Sequence, residues 1–575
     1  MNEAIVHALT GYVPLVLPEA VLAVAACVLF LGGTWRGGRS LWAGAALVAL
    51  GLSALALWYS AVQFPTVEKA DEDIREIVRE LADSESPLPP DKRSEKEAER
   101  DWLQVQVRAD VYTSPVLNTR LALFFKGLAL AGAFVLVLVS WNEVPDDQAA
   151  EYHACLLLIT AGVCLTGAAN ELITLFLALE VVSIPTYILL YLPRSDERAQ
   201  ESAMKYFLLS IFSSALLLFG FSYLYGTAGT TNLKALGEAL TRPAPGVAGL
   251  ALTALVMVTA GIGFRITAVP FHFYAPDVYQ GTTPAAAALL SFVPKVAGFA
   301  ALLRVFGFTL GLLDPGQPFV GQVLEGQGLK LLWILAAVSM TLGNVLALLQ
   351  NDLKRLMAYS SVAHAGYMLV ALAAAPLLGG SAPVAGVEAV IFYLVAYAAM
   401  TIGVFAVISY LSTPRRPVES VDDLAGLSVS HPLAALLMVL FLFSLIGMPV
   451  TAGFWGKFQL FFGAMDVPPE TAAAGGSQSL VWFIVLVVIG VVNAAIGAWY
   501  YLRIAAVMYL RTPLHPLERP RFGPVLVGIW ICALVTLAVG VYPLPLQRVV
   551  QFAVRGPAPV AAAPAVPVAA AIPAP

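Results

Sequence analysis

Apolar residues recur in runs of about 20, and each run is long enough to cross a bilayer as a helix. Fourteen such runs are centred near Ala23, Leu50, Ala133, Leu158, Val181, Ala215, Met257, Phe292, Ala337, Met368, Tyr397, Phe441, Val488 and Leu534. The period-two alternation of an outer-membrane barrel is absent. The pattern predicts an all-α polytopic membrane protein with about 14 transmembrane helices. The first run, Tyr12 to Gly33, is longer than a signal-peptide core and follows no basic leader, so it is expected to be a retained span.

Two runs are interrupted. The seventh reads "GIGFRITAVPFHFYAPDVYQG" over 261–281, with Arg265 just before Pro270 and with His272 and Asp277 after it. The twelfth contains Pro449 and Gly453, followed by Lys457. Paired Gly/Pro-interrupted segments in corresponding positions mark transporter repeats and point to an ion path. The two lie five spans apart, and an odd offset gives the two units inverted topology.

Composition agrees: 59% of residues are hydrophobic and 12% charged, against roughly 25% charged in soluble domains. The net charge of −5 comes from one segment, since residues 68–110 hold 14 acids and 8 bases and the remainder is near neutral. No basic patch points to nucleic acid. Short loops carry Arg36, Arg39, Arg194, Arg198, Lys354, Arg355, Arg415, Arg416, Arg503, Arg511, Arg519 and Arg521 on one side. The other side carries Lys234, Arg242, Arg548 and Arg555, so the asymmetry puts both termini on the outer face. Residues 66–110 then form a charged outer loop. Its first part has helical apolar spacing (Ile74, Ile77, Val78, Leu81) before a Pro-rich break. It reads as a solvated insertion, with a surface helix or an accessory-subunit contact as alternatives. The Ala/Pro-rich end, 556–575, reads as disordered. The four cysteines lie in apolar runs without CxxC spacing, which argues against a metal site or iron–sulfur cluster in this chain. No histidine pair has the look of haem ligation.

A charge at mid-membrane costs roughly 2.5–3.5 kcal/mol even on the lenient insertion scale. Glu180, Lys205, Arg265, Lys295 and Lys457 all sit in or beside apolar runs. Lys126, Arg304 and Lys330 read as structural ion pairs or as long stems reaching the interface. Glu180, Lys295 and Lys457 are too deep for that and read as functional. Burial lowers a lysine's proton affinity and a nearby carboxylate raises it, so Glu–Lys neighbours suit proton relay. His272 and His364 would either extend the relay or serve as hydrogen-bonded packing residues.

Several long motifs carry a family resemblance: "LFLALEVVSIPTYIL" with Glu180, "ESAMKYFLLSIFSSALLLFG" with Lys205, and "GFRITAVPFHFYAPDVYQGTTPAAAALLSFVPK" with Lys295. "LLQNDLKRLMAYSSVAHAGYMLVAL" holds His364 and "SLIGMPVTAGFWGKFQLF" holds Lys457. In this order they resemble the antiporter-like membrane subunits of respiratory complex I, NADH-quinone oxidoreductase, from about Leu121 to Leu510. "PDVYQG" and a lysine at 457 favour the subunit N branch. The resemblance implies two inverted five-helix repeats, about residues 150–308 and 330–504, with a discontinuous helix in each. Residues 1–64 would hold two preceding spans, 65–120 the insertion and 121–149 a third span. Residues 505–550 would hold an inner loop and the last span, and 551–575 a disordered tail.

The resemblance further implies proton translocation, with Glu180 and Lys205 as the controlling pair and Lys295 and Lys457 as carriers. The family has a lysine where this chain has Arg265. Arginine keeps its proton, so Arg265 is expected to act as a fixed charge that biases Lys205 and Lys295 and orders water at the break. No cofactor is expected in this chain. NADH, FMN, iron–sulfur clusters and quinone would belong to other subunits. The implied partners are other complex I membrane-arm subunits, including antiporter-like chains, together with membrane lipid and no nucleic acid. The implied location is a bacterial plasma membrane. A Mrp-type cation/proton antiporter subunit and a non-pumping scaffold are the competing readings.

Overall fold

The computed structural model describes residues 13–35, 37–82, 89–192, 196–241, 247–309, 322–375, 386–413, 416–466, 478–513 and 523–555. Helices dominate these residues, which contain only isolated β-bridges in place of strands. Helices α1 (Leu17–Gly32) and α2 (Arg39–Gln63) lead to α3 (Val67–Ala82) and α4 (Pro90–Thr113). The bundle resumes with α5 (Arg120–Ser140), α6 (Ala149–Ala168), α7 (Leu172–Tyr191) and α8 (Glu197–Ala228). A short α9 (Leu233–Thr241) precedes α10 (Ala248–Arg265), α11 (Ala275–Gly281) and α12 (Pro284–Thr309). Next come α13 (Gln322–Leu348), α14 (Leu353–Ala374) and α15 (Val387–Leu411). The chain continues through α16 (Pro432–Ile446), α17 (Ala452–Met465), α18 (Gln478–Leu510), α19 (Pro524–Val541) and α20 (Leu544–Arg555).

Among the described residues, 13 helices are long and apolar enough to cross a membrane. Hydropathy predicts a further whole span near Phe441, where the structure has two half-helices. Gly447 adopts φ 92 and ends α16, a left-handed conformation that glycine tolerates. Helix resumes at Ala452, and a Cβ on Gly453 would lie 1.8 Å from the Ser444 carbonyl oxygen. Only glycine allows that approach, and the Gly453 N–H donates to Ser444 Oγ at 3.0 Å. The seventh span breaks similarly. α10 stops at Arg265, Thr267 takes φ 60, and α11 restarts with proline in its first turn.

The order of elements recurs. α6, α7, α8, the broken α10/α11 and α12 are followed by α13, α14, α15, the broken α16/α17 and α18. A backbone clasp recurs with it. Leu172 N–H donates to the Thr231 carbonyl (2.9 Å) and Leu233 N–H to Asn170 (2.9 Å), joining the start of α7 to the segment after α8. Leu353 N–H donates to Glu419 (2.7 Å) and Val421 N–H to Asn351 (3.0 Å), joining the start of α14 to the segment after α15. The series are offset by five spans, so the clasps sit at opposite ends of the bundle. α12, α14 and α15 are buried on nearly every side and form its centre. Exposed apolar side chains such as Val24, Trp58, Ile173, Phe212 and Trp499 face outward, as a lipid-facing surface requires.

The charged insertion is a helical pair docked on one end of the bundle. One Arg120 guanidinium nitrogen donates to both Glu72 carboxylate oxygens at 2.9 Å. Asn170 and Asn232 each donate to the Val111 carbonyl, at 2.8 and 2.9 Å. Lys96 pairs with Glu80 between α4 and α3. The reading as a merely solvated segment is therefore corrected. Its apolar spacing supplies a buried contact, Ile77, and its acids meet cations. Residues 551–555, expected in the domain division to begin the tail, instead complete the amphipathic α20. Residues 556–575 lie outside the described residues, as do Arg36, Arg194, Arg242, Arg415, Arg519 and Arg521.

Of the three long cations, Lys126 forms a structural ion pair and Arg304 binds neutral acceptors, and neither reaches an interface. Lys126 is buried, with its ammonium 2.8 Å from Glu19 and 2.7 Å from the Leu15 carbonyl. Arg304 is buried on the Gly167 carbonyl and Thr119 Oγ1. Each finds acceptors inside the bundle, which removes the reason to extend toward water. Lys330 is exposed. Removing one partner of a buried pair strands the other charge. Lys126→Met is expected to destabilise the purified protein by about 3–5 kcal/mol, read as a lowered unfolding temperature in detergent. The double change Lys126→Met, Glu19→Leu should recover most of that loss.

Candidate functional site

The end of α10 carries the most heavily bonded cation. The Arg265 guanidinium turns toward α7 and α8 and is 5% exposed. It donates to Glu180 Oε1 (3.1 Å), Ser214 Oγ (3.3 Å), the Leu179 carbonyl (3.1 Å) and Ser183 Oγ. Ser214 also donates to Glu180 Oε1, at 2.5 Å. An ammonium has three donors and no fork, so it could not hold four acceptors from two helices. This is the physical meaning of arginine here: the guanidinium ties α10 to α7 and α8 and neutralises Glu180.

Lys205 is elsewhere. Its Nζ lies 2.8 Å from Asp277 and 2.6 Å from Glu201, with its side chain 40% exposed. Arg355 at the start of α14 donates to the other Asp277 oxygen at 2.5 Å and to Gln280 at 3.0 Å. Together with Arg198, Ser202 and Gly281, these α8 and α11 groups line an open polar cavity of about 210 Å³ at one end of the bundle. The expected Glu180–Lys205 pair is therefore not formed. Glu180 takes Arg265, and Lys205 takes Asp277 and Glu201. The reason is reach: Lys205 sits two turns from the start of α8, and Ser214, two to three turns further along, faces Glu180.

Lys295 on α12 and Lys457 on α17 share a different environment. Lys295 Nζ donates to the Ile266 carbonyl (3.0 Å), Thr267 Oγ1 (2.9 Å) and the Ser361 carbonyl (2.8 Å). Lys457 Nζ donates to the Leu445 (2.8 Å) and Ile446 (3.0 Å) carbonyls. Each lysine thus caps the carbonyl end of an interrupted helix, where the helix dipole is negative. Among the described residues, neither has a carboxylate at ion-pair distance. Each lies over an aromatic face, Lys295 at 5.7 Å from the Tyr397 ring and Lys457 at 4.8 Å from Tyr367.

His364 stands between them. Its Nδ1 meets the Tyr393 hydroxyl at 2.5 Å and its Nε2 meets Tyr501 at 3.1 Å. Its ring centroid is 5.3 Å from Tyr397 and 5.5 Å from Tyr367, the same two rings that carry the lysines. His272 is not in this row. It lies partly buried in the α10–α11 linker, 6.4 Å from the Tyr359 ring, with Nδ1 free of a protein partner. The structure thus joins Glu180 to Arg265, and aligns Lys295, His364 and Lys457. It sets Lys205 and His272 apart.

Sequence reasoning named Asp277 and Arg355 without a role at the site, and it missed Ser183, Ser214, Tyr367, Tyr393, Tyr397 and Tyr501. Some left a signal. Ser183 is one helical turn from Glu180, and Tyr393 and Tyr397 are i, i+4 neighbours on one face of α15. Tyr501 left none, because nothing local ties it to His364.

Residues 169–481 match the family described as NADH:quinone oxidoreductase/Mrp antiporter, TM, which is the broad class of membrane subunit that the two interrupted helices define. Within that class, the chain is 38% identical over 444 residues to NADH-quinone oxidoreductase subunit N 1 of Solibacter usitatus, covering 76% of this chain and 83% of that one. It is 36% identical over 447 residues to NADH-quinone oxidoreductase subunit N of Trichlorobacter lovleyi, covering 77% and 85%. The chain belongs to the NADH-quinone oxidoreductase subunit N family. A chain of respiratory complex I from Thermus thermophilus with bound aureothin superposes with a TM-score of 0.65 at 28% identity, covering 92% of this chain and 98% of that one. A chain of the Mrp complex from Dietzia sp. DQ12-45-1b shares the fold, with a TM-score of 0.70 at 18% identity, covering 94% and 97%.

The two ion pairs should respond differently to loss of their cation. Arg265→Gln strands Glu180 in the bundle and is expected to cost about 3–5 kcal/mol. Lys205→Met removes a half-exposed, screened contact and is expected to cost about 1 kcal/mol or less. Thermal unfolding of the purified variants side by side checks the ranking.

Proposed function

We propose that this chain carries protons across the membrane as an antiporter-like subunit of a proton-translocating NADH-quinone oxidoreductase. The observation that carries the reading is the row Lys295, His364, Lys457: buried groups that can gain and lose protons, strung along the middle of the bundle between two helix breaks. The channel units are taken as residues 150–308 and 330–504. The bundle end holding Arg198, Lys205 and Arg355 is taken as the inner side, with both termini outside and the membrane as a bacterial plasma membrane. NADH oxidation and the flavin, iron–sulfur and quinone chemistry belong to partner subunits, which include other antiporter-like chains.

The chemistry follows from the capping arrangement. Each lysine is held by helix-end carbonyls, not by a fixed counter-charge, so its proton is retained only while those dipoles point at it. Charge on one lysine disfavours charge on the other through Coulomb repulsion in a low-dielectric interior. His364, bonded to two phenols, offers a donor and an acceptor between them. Arg265 stays charged. With Glu180 ionised the pair is neutral. Separating or neutralising Glu180 leaves a bare cation next to Ile266, whose carbonyl holds Lys295, and drives the Lys295 proton onward. Glu180–Arg265 acts as the switch, while Lys205 and Asp277 order the inner mouth, and His272 hydrates the break.

The test is the proton-to-electron ratio of the assembled enzyme in proteoliposomes. Lys295→Met and Lys457→Met should each lower that ratio while the complex still assembles and oxidises NADH. A scaffold role instead predicts poorer assembly and an unchanged ratio in whatever complex forms. A Mrp-type role predicts that gentle purification brings down cation-antiporter chains and no flavin or iron–sulfur subunit.

A further inference from the structure

Many buried hydroxyls in this bundle bond back to their own helix. Thr160, Thr166, Ser183, Thr186, Thr259 and Thr536 each donate to a carbonyl one turn back on their own helix, at 2.6–2.9 Å. That is the usual way to hide a hydroxyl in an apolar span. Others, such as Ser53 and Ser213, reach a carbonyl on a neighbouring element, and one group among the described residues does neither. Tyr279, Thr282, Ser361, Tyr397 and Thr401 are buried to 2% exposure or less, and their hydroxyl oxygens have no protein partner within 3.5 Å. Tyr279, Ser361, Tyr397 and Thr401 are neighbours, on α11, α14 and α15. The Tyr279 hydroxyl faces Ser361, and the Tyr397 hydroxyl faces Ser361 and Thr401. Ser361 also presents its carbonyl to Lys295 at 2.8 Å. Buried polar atoms left without protein partners are where ordered water binds.

The cluster has a direction. On α15, Tyr397, Thr401, Phe405 and Ser409 recur at every fourth position, one slowly turning stripe about 18 Å long at 1.5 Å per residue. At one end is Lys295, under the Tyr397 ring. At the other is Glu143, in the turn between α5 and α6. Its Oε2 accepts from the Ala285 N–H at the start of α12 at 2.9 Å, and its Oε1 is buried with no protein partner within 3.5 Å. The Ser409 and Thr283 hydroxyls and the Lys354 charge lie near this carboxyl, although Ser409 Oγ donates to the Val139 carbonyl at 3.5 Å. Lys354 in turn donates to the Gln280 and Thr282 carbonyls, at 2.7 and 2.6 Å, so it braces the α11–α12 turn that the stripe passes. The one apolar step is Phe405, whose ring lies 6.0 Å from Tyr279.

We propose that Glu143 is the proton-entry group of this chain, and that water held on the Ser409–Thr401–Ser361–Tyr397 face carries its proton to Lys295, past a constriction formed by Phe405 and Tyr279. The inference rests on the proton-carrying reading above and gives that path its inner end. Glu143 takes a proton from the inner aqueous phase and releases it to the first water of the path. The last water delivers a proton to the neutral Lys295 amine, so one proton enters and one arrives. Burial pushes the Glu143 carboxyl above the ordinary carboxylate range, against the opposing pull of Ser409, the Ala285 amide, Thr283 and Lys354, which suits a group that must carry a proton.

Glu143 also caps α12, and the test separates the two roles. A glutamine oxygen still accepts from Ala285, but the side chain no longer exchanges a proton. The assembled complex is compared in proteoliposomes with Glu143→Gln, Glu143→Asp, Thr401→Val and Lys295→Met, reading protons moved per NADH oxidised. The expected result is that Glu143→Gln lowers the ratio to the value given by Lys295→Met, Glu143→Asp restores it, and Thr401→Val, which removes a hydroxyl at constant shape, lowers it too. If Lys295→Met lowers the ratio while Glu143→Gln and Thr401→Val leave it at the wild-type value, Glu143 is only a helix cap and the path is wrong. If Lys295→Met itself leaves the ratio unchanged, the proton-carrying reading fails first. Should Glu143→Gln not assemble, Thr401→Val decides alone: a wild-type ratio overturns the path and a lowered one supports it.

Discussion

A helix that stops inside a membrane strands the carbonyl oxygens of its last turn, and the hydrocarbon layer has no water to satisfy them. Both interruptions in this bundle meet that constraint in the same way, by bringing in an ammonium from another segment. Lys295 reaches across from α12 to the end of α10, and Lys457 reaches back from α17 to the end of α16. The lysines pay a desolvation penalty to be there, and the exposed helix ends supply the negative potential that offsets it. Break and lysine therefore need each other. Straighten either helix and the cation loses its acceptors; remove either lysine and the carbonyls lose their donor.

Among the described residues, the central row has no carboxylate at ion-pair distance, and the helix-end carbonyls take that place. A carboxylate would lock each lysine in its charged form. Helix-end carbonyls satisfy each ammonium without adding a formal negative charge. The permanent charges are kept at the edges of the row, where Arg265 neutralises Glu180 on one side of α10 and Asp277 gathers Lys205 and Arg355 at the bundle end. Arginine at 265 gives this chain a clasp between three helices, α7, α8 and α10, at the point where the central lysines begin.

Much of the fold was legible along the chain. Runs of about 20 apolar residues have one stable form in lipid, so the spans, the two breaks and their five-span offset followed from Pro270, Pro449 and Gly453 and from run length. The spacing of Ile74 and Ile77 held the helix of the insertion, although its acids suggested a solvated loop, because Arg120 and the Asn170 and Asn232 amides that dock the insertion are distant in sequence. Glu180, Lys295, His364 and Lys457 stood out as polar residues in apolar runs, and all four meet buried partners. The pairing of Glu180 did not stand out. Lys205 and Arg265 were both available, and only the side-by-side packing of α7, α8 and α10 decides which cation reaches it. Glu143 lay in an ordinary-looking turn, and nothing local to "SWNEVPDD" announces that it would sit under the start of α12.

What the sequence determined by itself is what a one-dimensional pattern can encode: the solvent each segment prefers, where a helix must stop, and which residues are too polar for their surroundings. What only the tertiary structure decided is which of those polar residues meet. A buried charge settles on the acceptor that packing places within about 3 Å, and at that range Coulomb and hydrogen-bond energies change steeply with distance. Sequence separation carries no information about such distances, so Lys295 beside Ile266, Lys457 beside Leu445 and Arg265 beside Glu180 are facts of the folded bundle alone.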